Sequence, residues 1–148
     1  MCSIFGVLEI RQDLQTVRKM ALQQSRLLRH RGPDWSGIYT AGNAVLAHER
    51  LAIVDVNTGA QPILSESGKQ ALAVNGEIYN HHPIREQYAG RYAFRTESDC
   101  EVILPLYLEH GPDFLEQLSG MYAFCLYDED KDFWMMARDP IGIIPLYY

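Results

Sequence analysis

The sequence has no run of basic residues and no long apolar segment. Its 13 lysines and arginines are scattered among 19 acidic residues, which gives a net charge of −6. A protein that binds a phosphate backbone normally carries a basic stripe. The longest apolar stretches, such as residues 102–108, are far too short to span a bilayer. These two absences argue against nucleic acid and against a membrane as partners.

Cysteines are also few, and they are Cys2, Cys100 and Cys125. An odd and sparse set argues against a disulfide framework and is typical of a reducing compartment. The first residues, MCSIFG, have no cationic flank before an apolar segment, so they are unlike a secretory signal peptide. We therefore expect a cytoplasmic protein. Cys100 and Cys125 lie in apolar patterns, which favours buried, inert thiols.

The remaining composition is that of one folded domain, with 148 residues of which 47% are hydrophobic, so we expect a single core. Strand-like runs outnumber helical ones and do not alternate regularly with them, which predicts an α+β fold. Strands are predicted at residues 3–10, 35–40, 44–49, 51–54, 71–74, 121–127, 133–137 and 141–148. Helices are predicted at residues 14–28, 83–88 and 100–110, the last with Asp99 as N-cap and a kink or late start at Pro105.

The amino terminus carries the most informative residue. Cys2 becomes the first residue if Met1 is removed, as is usual before a small side chain, and it then carries both a thiol and a free α-amine. Because an α-amine is partly unprotonated near neutral pH, it can serve as the base for its own thiol. Position alone favours the alternative, an incidental small residue at a frayed chain end.

Seven short segments follow one another along the chain. They are CSIFG at 2–6, RHRGPD at 29–34, HERLAIVD at 48–55, GAQP at 59–62, NGEIYN at 75–80, SD at 98–99 and RDP at 138–140. In this order and spacing they resemble the class II glutamine amidotransferases, and within that family most of all the glutaminase domain of bacterial glutamine-dependent asparagine synthetases. The resemblance runs from Cys2 to Tyr148. Ser3 replaces a glycine common in the family, but serine is frequent in synthetases of the bacterial type.

This resemblance implies an amino-terminal-nucleophile hydrolase fold, a four-layer αββα sandwich of two antiparallel sheets between helices. It also implies that the chain hydrolyses L-glutamine to glutamate and ammonia, with Cys2 as the nucleophile. Asn75 and Gly76 would form the oxyanion hole, because a side-chain amide and a backbone N–H can both point at one oxygen. The alternative for Asn75 and Gly76 is a plain turn between two strands.

The resemblance further implies a binding site for the charged ends of glutamine. Its members are Arg50, Val54, Asn75, Gly76, Glu77 and Asp99. Arg50 suits the α-carboxylate because a guanidinium offers two parallel hydrogen bonds, and Asp99 suits the α-ammonium. The alternatives are a solvated charge for Arg50 and a simple helix cap for Asp99. Arg31 and Asp34 are interpreted as supports of the pocket wall, and Arg138 with Asp139 as a scaffold ion pair.

Residues 1–148 are expected to form most of a type 2 glutamine amidotransferase domain that is truncated at its C-terminus. No metal or organic cofactor is expected for glutamine hydrolysis. ATP and magnesium are expected only in an ATP-dependent synthetase domain, absent from this chain, that would accept the ammonia in a full-length and possibly homodimeric enzyme. Two alternatives stay open: an inactive truncated chain that binds glutamine or a partner, and a glutaminase domain that feeds another acceptor. His81-His82 gives only a weak indication of a metal site.

Overall fold

Two antiparallel sheets stack face to face in the computed structural model, which describes residues 2–52 and 59–148. The strand order is β1-β3-β2 in the first sheet and β4-β5-β6-β7 in the second. The strands of the first sheet are β1 (Ser3–Val7), β2 (Trp35–Ala41) and β3 (Ala44–Arg50). Those of the second are β4 (Ile63–Leu64), β5 (Gln70–Ile78), β6 (Gly120–Asp128) and β7 (Phe133–Arg138). The helices are α1 (Leu14–Leu27), α2 (His81–Gln87) and α3 (Ile103–His110), with 3-10 turns at Asp99–Val102 and Gly111–Gln117.

Helices cover the outer faces of both sheets. Val17 and Ala21 of α1 pack on Val45 of the first sheet, and Asp13 caps α1 by accepting from the Thr16 N–H at 2.8 Å. On the far side, the apolar face of α3 joins the second sheet through residues such as Ile103. The expected four-layer αββα sandwich is confirmed. Among the described helices, none is long and apolar enough to cross a membrane.

β3 is buried along its whole length because it runs between β1 and β2 and has α1 on one face and the second sheet on the other. Its side chains alternate accordingly. Leu46 packs with the core between the sheets, whereas Glu49 faces α1 and accepts a 2.8 Å hydrogen bond from Ser25 Oγ. This alternation sends His48 and Arg50 toward the second sheet, where the pocket described below lies.

Several elements follow the sequence patterns closely. The β2–β3 hairpin turns at residues 42–43 and the β6–β7 hairpin at residues 129–132, as expected. The late helix start is also confirmed, since α3 begins at Ile103 after a 3-10 turn. β4 was not predicted, because two residues are too few to give a pattern. The predicted strand at 51–54 is absent at Leu51 and Ala52, and its second half lies outside the described residues.

Two local expectations, the Asp99 cap and the last strand, are wrong, and the alternative of a turn at Asn75 and Gly76 is excluded. Ser98, not Asp99, caps the 3-10 turn, with its hydroxyl accepting from the Cys100 N–H at 3.3 Å. Asn75 and Gly76 are not a turn but lie in the middle of β5. Residues 141–148 form no strand, because the Asp139 carboxylate bonds the Ile143 and Ile144 N–H groups and so bends the chain back after β7.

Candidate active site

A pocket of about 130 Å³ opens where β1, the end of β3 and the middle of β5 meet. It contains nearly all of the residues that the sequence predicted for the site. Those in its lining are Cys2, Arg50, Asn75, Gly76, Glu77 and Asp99. The remaining predicted residue, Val54, lies outside the described residues. Residues from both sheets therefore converge on one cavity, and the roles assigned to them stay predictions.

Cys2 is tied to the pocket wall and is not a loose end. The Leu51 N–H donates to Cys2 Sγ at 3.3 Å, and Arg31 Nε donates to the Cys2 carbonyl at 3.3 Å. The next residue, Ser3, already pairs with Glu49 in the first sheet. An N–H aimed at the sulfur can stabilise negative charge there, so this position suits a nucleophilic thiolate.

The wall beneath Cys2 is braced by Asp34. Its backbone N–H donates to the Arg50 carbonyl at 3.0 Å, and its carboxylate accepts from the Ala52 N–H at 2.8 Å. These two bonds hold the segment that carries Leu51. Arg31 and Asp34 therefore both contact the pocket wall, in the manner that their interpretation as supports requires.

Backbone groups of β5 point alternately toward β6 and away from it. Past the short β4, the residues that point away are 74, 76 and 78. The Ile78 N–H donates to Asp99 Oδ2 at 2.7 Å, the Gly76 carbonyl accepts from Cys100 Sγ at 3.8 Å, and the Val74 N–H donates to Gln61 Oε1 at 2.8 Å. The Gly76 N–H shares this edge, and Gly76 lines the pocket. It is positioned to donate to an oxygen in the cavity.

The Asn75 side chain stands perpendicular to the sheet and so approaches the cavity differently from the backbone groups of β5. Side chains alternate along a strand, and Ala71 and Ala73 pack in the core between the sheets. Asn75 is next on that face and therefore points toward the sheet that carries Cys2. Asn75 itself is only 7% exposed, so its amide is largely withdrawn from water. An amide and a neighbouring backbone N–H thus approach one cavity from two directions.

Glycine is required at position 76. Its φ is 151°, a conformation that residues with a side chain rarely adopt. A Cβ at this position would meet the Met121 carbonyl and lie 2.6 Å from Tyr122 Cα, both of which are backbone atoms of β6. The close β5–β6 contact at the predicted oxyanion hole therefore tolerates no larger residue.

The pocket holds opposite charges on different elements. Arg50 ends β3 and is 7% exposed, and Asp99 begins the 3-10 turn beside the second sheet and is 6% exposed. Asp99 uses Oδ2 to accept from the Ile78 N–H, and its second oxygen can accept from an ammonium. Glu77 is exposed and lies at the rim. A zwitterionic amino acid matches this pair of buried charges.

Replacing Arg50 by lysine is expected to raise KM for glutamine, because an ammonium keeps the charge but cannot make two parallel bonds to a carboxylate. Steady-state kinetics would measure KM and kcat separately. Arg91→Lys is the matched control, since Arg91 pairs with Glu109 at 3.0 Å on the exposed surface. An unchanged KM in Arg50→Lys would show that another group holds the carboxylate.

Asp139 organises the far wall of the pocket. Its carboxylate is taken up by backbone N–H groups and not by Arg138, so the interpretation as an ion pair is wrong. Burial raises the pKa of Asp139, but hydrogen bonds from the N–H groups of Ile143, Ile144 and Tyr122 outweigh this effect and leave the pKa below its usual value. Ile144 is thereby fixed as a buried residue of the pocket lining. No sequence pattern indicated its place there, because it depends on this one carboxylate.

Cys100 and Cys125 are buried, as expected, and burial is the main cause that raises both pKa values, that of Cys125 to about 12. His81 and His82 contact each other through their rings, with centroids 4.0 Å apart. Across residues 2–52 and 59–148, no group of three or more His, Cys, Asp or Glu side chains could hold a metal ion.

His48 is a buried residue beside the pocket that no sequence pattern singled out, although it belongs to one of the seven segments. It is 0% exposed, and Nε2 lies 2.9 Å from the Val74 carbonyl. The pKa of His48 is lowered to about 4, chiefly by burial and in part by the charge of Arg50, which together outweigh the opposite effects of the hydrogen bond to Val74 and the charge of Glu49. The imidazole is therefore neutral near pH 7 and donates to Val74.

Stability is expected to rise with pH between about 4, the pKa of folded His48, and about 6.5, that of an ordinary histidine. Within this window the unfolded chain binds a proton that folded His48 does not. The free energy of unfolding should therefore increase by about 3 kcal/mol across it. Denaturant unfolding at a series of pH values would measure the slope. His48→Gln should flatten it, and equal slopes in both proteins would contradict the assignment.

Comparisons with known proteins agree with the resemblance found in the sequence. The model of a family described as a glutamine amidotransferase domain matches residues 1–148. Asparagine synthetase B (glutamine-hydrolyzing) of Escherichia coli (strain K12) is 63% identical over 147 residues, which are 99% of this chain and 26% of the relative. A probable asparagine synthetase (glutamine-hydrolyzing) of Schizosaccharomyces pombe is 54% identical over 147 residues, with 99% and 26% covered. The chain thus spans about a quarter of the length of these curated relatives.

One solved structure extends the comparison to the fold. Glutamine phosphoribosylpyrophosphate amidotransferase from B. subtilis superposes with a TM-score of 0.73 at 23% identity, covering 95% of this chain and 38% of the other. At that identity the likeness concerns the fold alone. It agrees with the sandwich of two antiparallel sheets between helices that the sequence predicted.

Proposed function

The chain belongs to the glutamine amidotransferase domain family, and on that basis we propose that Cys2 hydrolyses glutamine to glutamate and ammonia for use in asparagine synthesis. The observation that carries the proposal is the convergence at one pocket of a fixed Cys2 thiol, the Gly76 edge of β5 and the buried charges of Arg50 and Asp99. Each of these features has a counterpart in glutamine, which carries one reactive amide and two charged groups on its α-carbon.

The proposed reaction begins when the α-amine of Cys2 takes the thiol proton. The thiolate then attacks the side-chain carbonyl carbon of glutamine, and the oxygen that becomes negative accepts hydrogen bonds from the Asn75 amide and the Gly76 N–H. The Cys2 α-ammonium returns the proton to the leaving ammonia. Water hydrolyses the resulting glutamyl thioester, which releases glutamate and restores the thiol.

Arg50 and Asp99 contribute by orientation. When the carboxylate and the ammonium of the ligand are bound, only its side chain remains free to move. In the proposed complex that side chain extends toward Cys2. Holding the reacting groups in this way removes much of the entropic barrier of a bimolecular step. Glu77, at the rim, adds negative charge on the side where the ammonium enters.

The fate of the ammonia is proposed from the relatives. Both curated relatives are named as asparagine synthetases that hydrolyse glutamine, and each is about four times as long as this chain. We assign the acceptor to a synthetase domain in a longer protein, where ATP and magnesium would activate aspartate. A cytoplasmic location and a homodimeric full-length enzyme belong to the same proposal.

The test is to incubate the purified protein with L-glutamine and to measure glutamate and ammonia separately. We expect equal amounts of both, and an intact mass that lacks Met1, because only a free Cys2 α-amine can act as the base. L-asparagine, which is shorter by one methylene, is the control substrate and should react much more slowly. Release of no glutamate would reject the function, whereas full activity with Met1 retained would reject the role of the α-amine.

A further inference from the structure

The edge of β5 that faces the pocket loses its neighbouring strand just before the predicted oxyanion hole. β4 pairs only Ile63 with Leu72 and Leu64 with Ala71. The next β5 residue that points outward is Val74, and two side chains take the place of a strand there. Gln61 Oε1 accepts from its N–H at 2.8 Å, and His48 Nε2 lies 2.9 Å from its carbonyl oxygen.

These two side chains come from different parts of the fold. His48 reaches across from β3 in the first sheet, while Gln61 lies two residues before β4. Both are buried, at 0% and 9% exposure. Together they satisfy both backbone groups of Val74, the residue directly before Asn75 and Gly76. The position of β5 relative to the first sheet, which carries Cys2, is therefore fixed at this residue.

We propose that His48, with Gln61, is a positioning residue that sets the oxyanion hole against the Cys2 thiol. The proposal rests on the proposed function and deepens it. Shifting Val74 would move the Asn75 amide and the Gly76 N–H together, because they follow it in one rigid strand. Donors that miss the developing oxygen by a fraction of an ångström lose much of their effect on the transition state.

The chemistry of His48 favours this role over simple packing. Its Nδ1 is buried and has no hydrogen-bond partner within the described part of the chain, which costs stability. An apolar residue in the interior of β3 would avoid that cost. The neutral imidazole nevertheless supplies something that an apolar residue cannot, a single N–H directed across the gap between the sheets at the Val74 carbonyl.

The experiment compares His48→Phe, which keeps a ring but removes the donor, with His48→Gln, whose amide N–H can replace Nε2. We expect kcat of His48→Phe to fall by up to about 10²-fold while KM stays within about twofold of the unaltered protein, since Arg50 and Asp99 hold the substrate. His48→Gln should restore most of the rate. Tyr107→Phe is the matched control, because it removes another buried hydrogen bond, from Tyr107 Oη to Asp128 at 2.9 Å, away from the pocket.

A kcat of His48→Phe equal to that of the unaltered protein would overturn the inference and leave the proposed function standing. The same holds if Tyr107→Phe loses as much kcat, or if His48→Gln is as slow as His48→Phe. An unaltered protein that releases no glutamate would reject the proposed function and this inference with it. If His48→Phe does not fold, Gln61→Met tests the inference in its place, because it removes the acceptor for the Val74 N–H. We expect it to lower kcat with the same small effect on KM.

Discussion

Cys2→Ala is expected to abolish glutamine hydrolysis and to leave glutamine binding largely intact. In the proposed mechanism the thiol forms the covalent bond to the substrate, whereas its charged ends bind to Arg50 and Asp99, which line the same pocket on other elements. Replacement of the sulfur removes the hydrogen bond from the Leu51 N–H and the long one, 3.6 Å, that Cys2 Sγ donates to the Leu51 carbonyl, and Cys2 is only partly buried. The loss in stability should therefore be small beside the loss in rate. Glutamate release and calorimetric binding of glutamine would be measured on the same preparation.

Cys125→Ala is the matched control for this change. Cys125 is 4% exposed in the core between the sheets and is not part of the pocket lining. Its loss should lower the unfolding midpoint without changing kcat. Turnover by Cys2→Ala at a rate comparable to that of the unaltered protein would point to a different nucleophile. Unfolding of Cys2→Ala would make Cys2 a packing residue.

The sequence predicted which residues meet in one pocket better than it predicted the local backbone. Cys2, Arg50, Asn75 and Asp99 line the same cavity, and they could be grouped in advance because a resemblance spread over seven segments carries spatial information that no single segment holds. The backbone conformation around Asn75 and Gly76 was harder to predict, because an Asn-Gly pair indicates a turn when only its neighbours in the sequence are considered. In the structure β6 pairs with both residues, and that pairing comes from more than forty positions away.

Side-chain hydrogen bonds also explain the other differences. Asp99 looks like a helix cap, but its carboxylate bonds the Ile78 N–H, so Ser98 takes the cap. Residues 141–148 are apolar enough for a strand, yet Asp139 engages their N–H groups. His48 gave no chemical signal, because its importance depends on the carbonyl of Val74. In each case a buried polar group found a partner that local patterns cannot reveal.

The second large effect is expected at Asn75. Removing one donor from an oxyanion hole typically lowers kcat by about 10²–10³-fold, and Asn75→Ala should do so with little change in KM. Asn75→Asp should be slower still, because it keeps the size of the side chain but places a carboxylate where negative charge develops. We therefore expect kcat to be highest with asparagine at position 75, lower with alanine and lowest with aspartate.

That order separates electrostatics from packing. Asn75 is 7% exposed, so if its role were only to fill space, the isosteric Asn75→Asp variant would retain more activity than the smaller alanine. Asn80→Asp is the matched control, since Asn80 donates to the Gln117 carbonyl at 2.8 Å and is not in the pocket lining. It should lose stability and keep kcat. Denaturant unfolding would first establish that both variants are folded. If Asn75→Asp is then more active than Asn75→Ala, the Asn75 amide has no part in the proposed mechanism. The Gly76 N–H would remain as the donor to be tested.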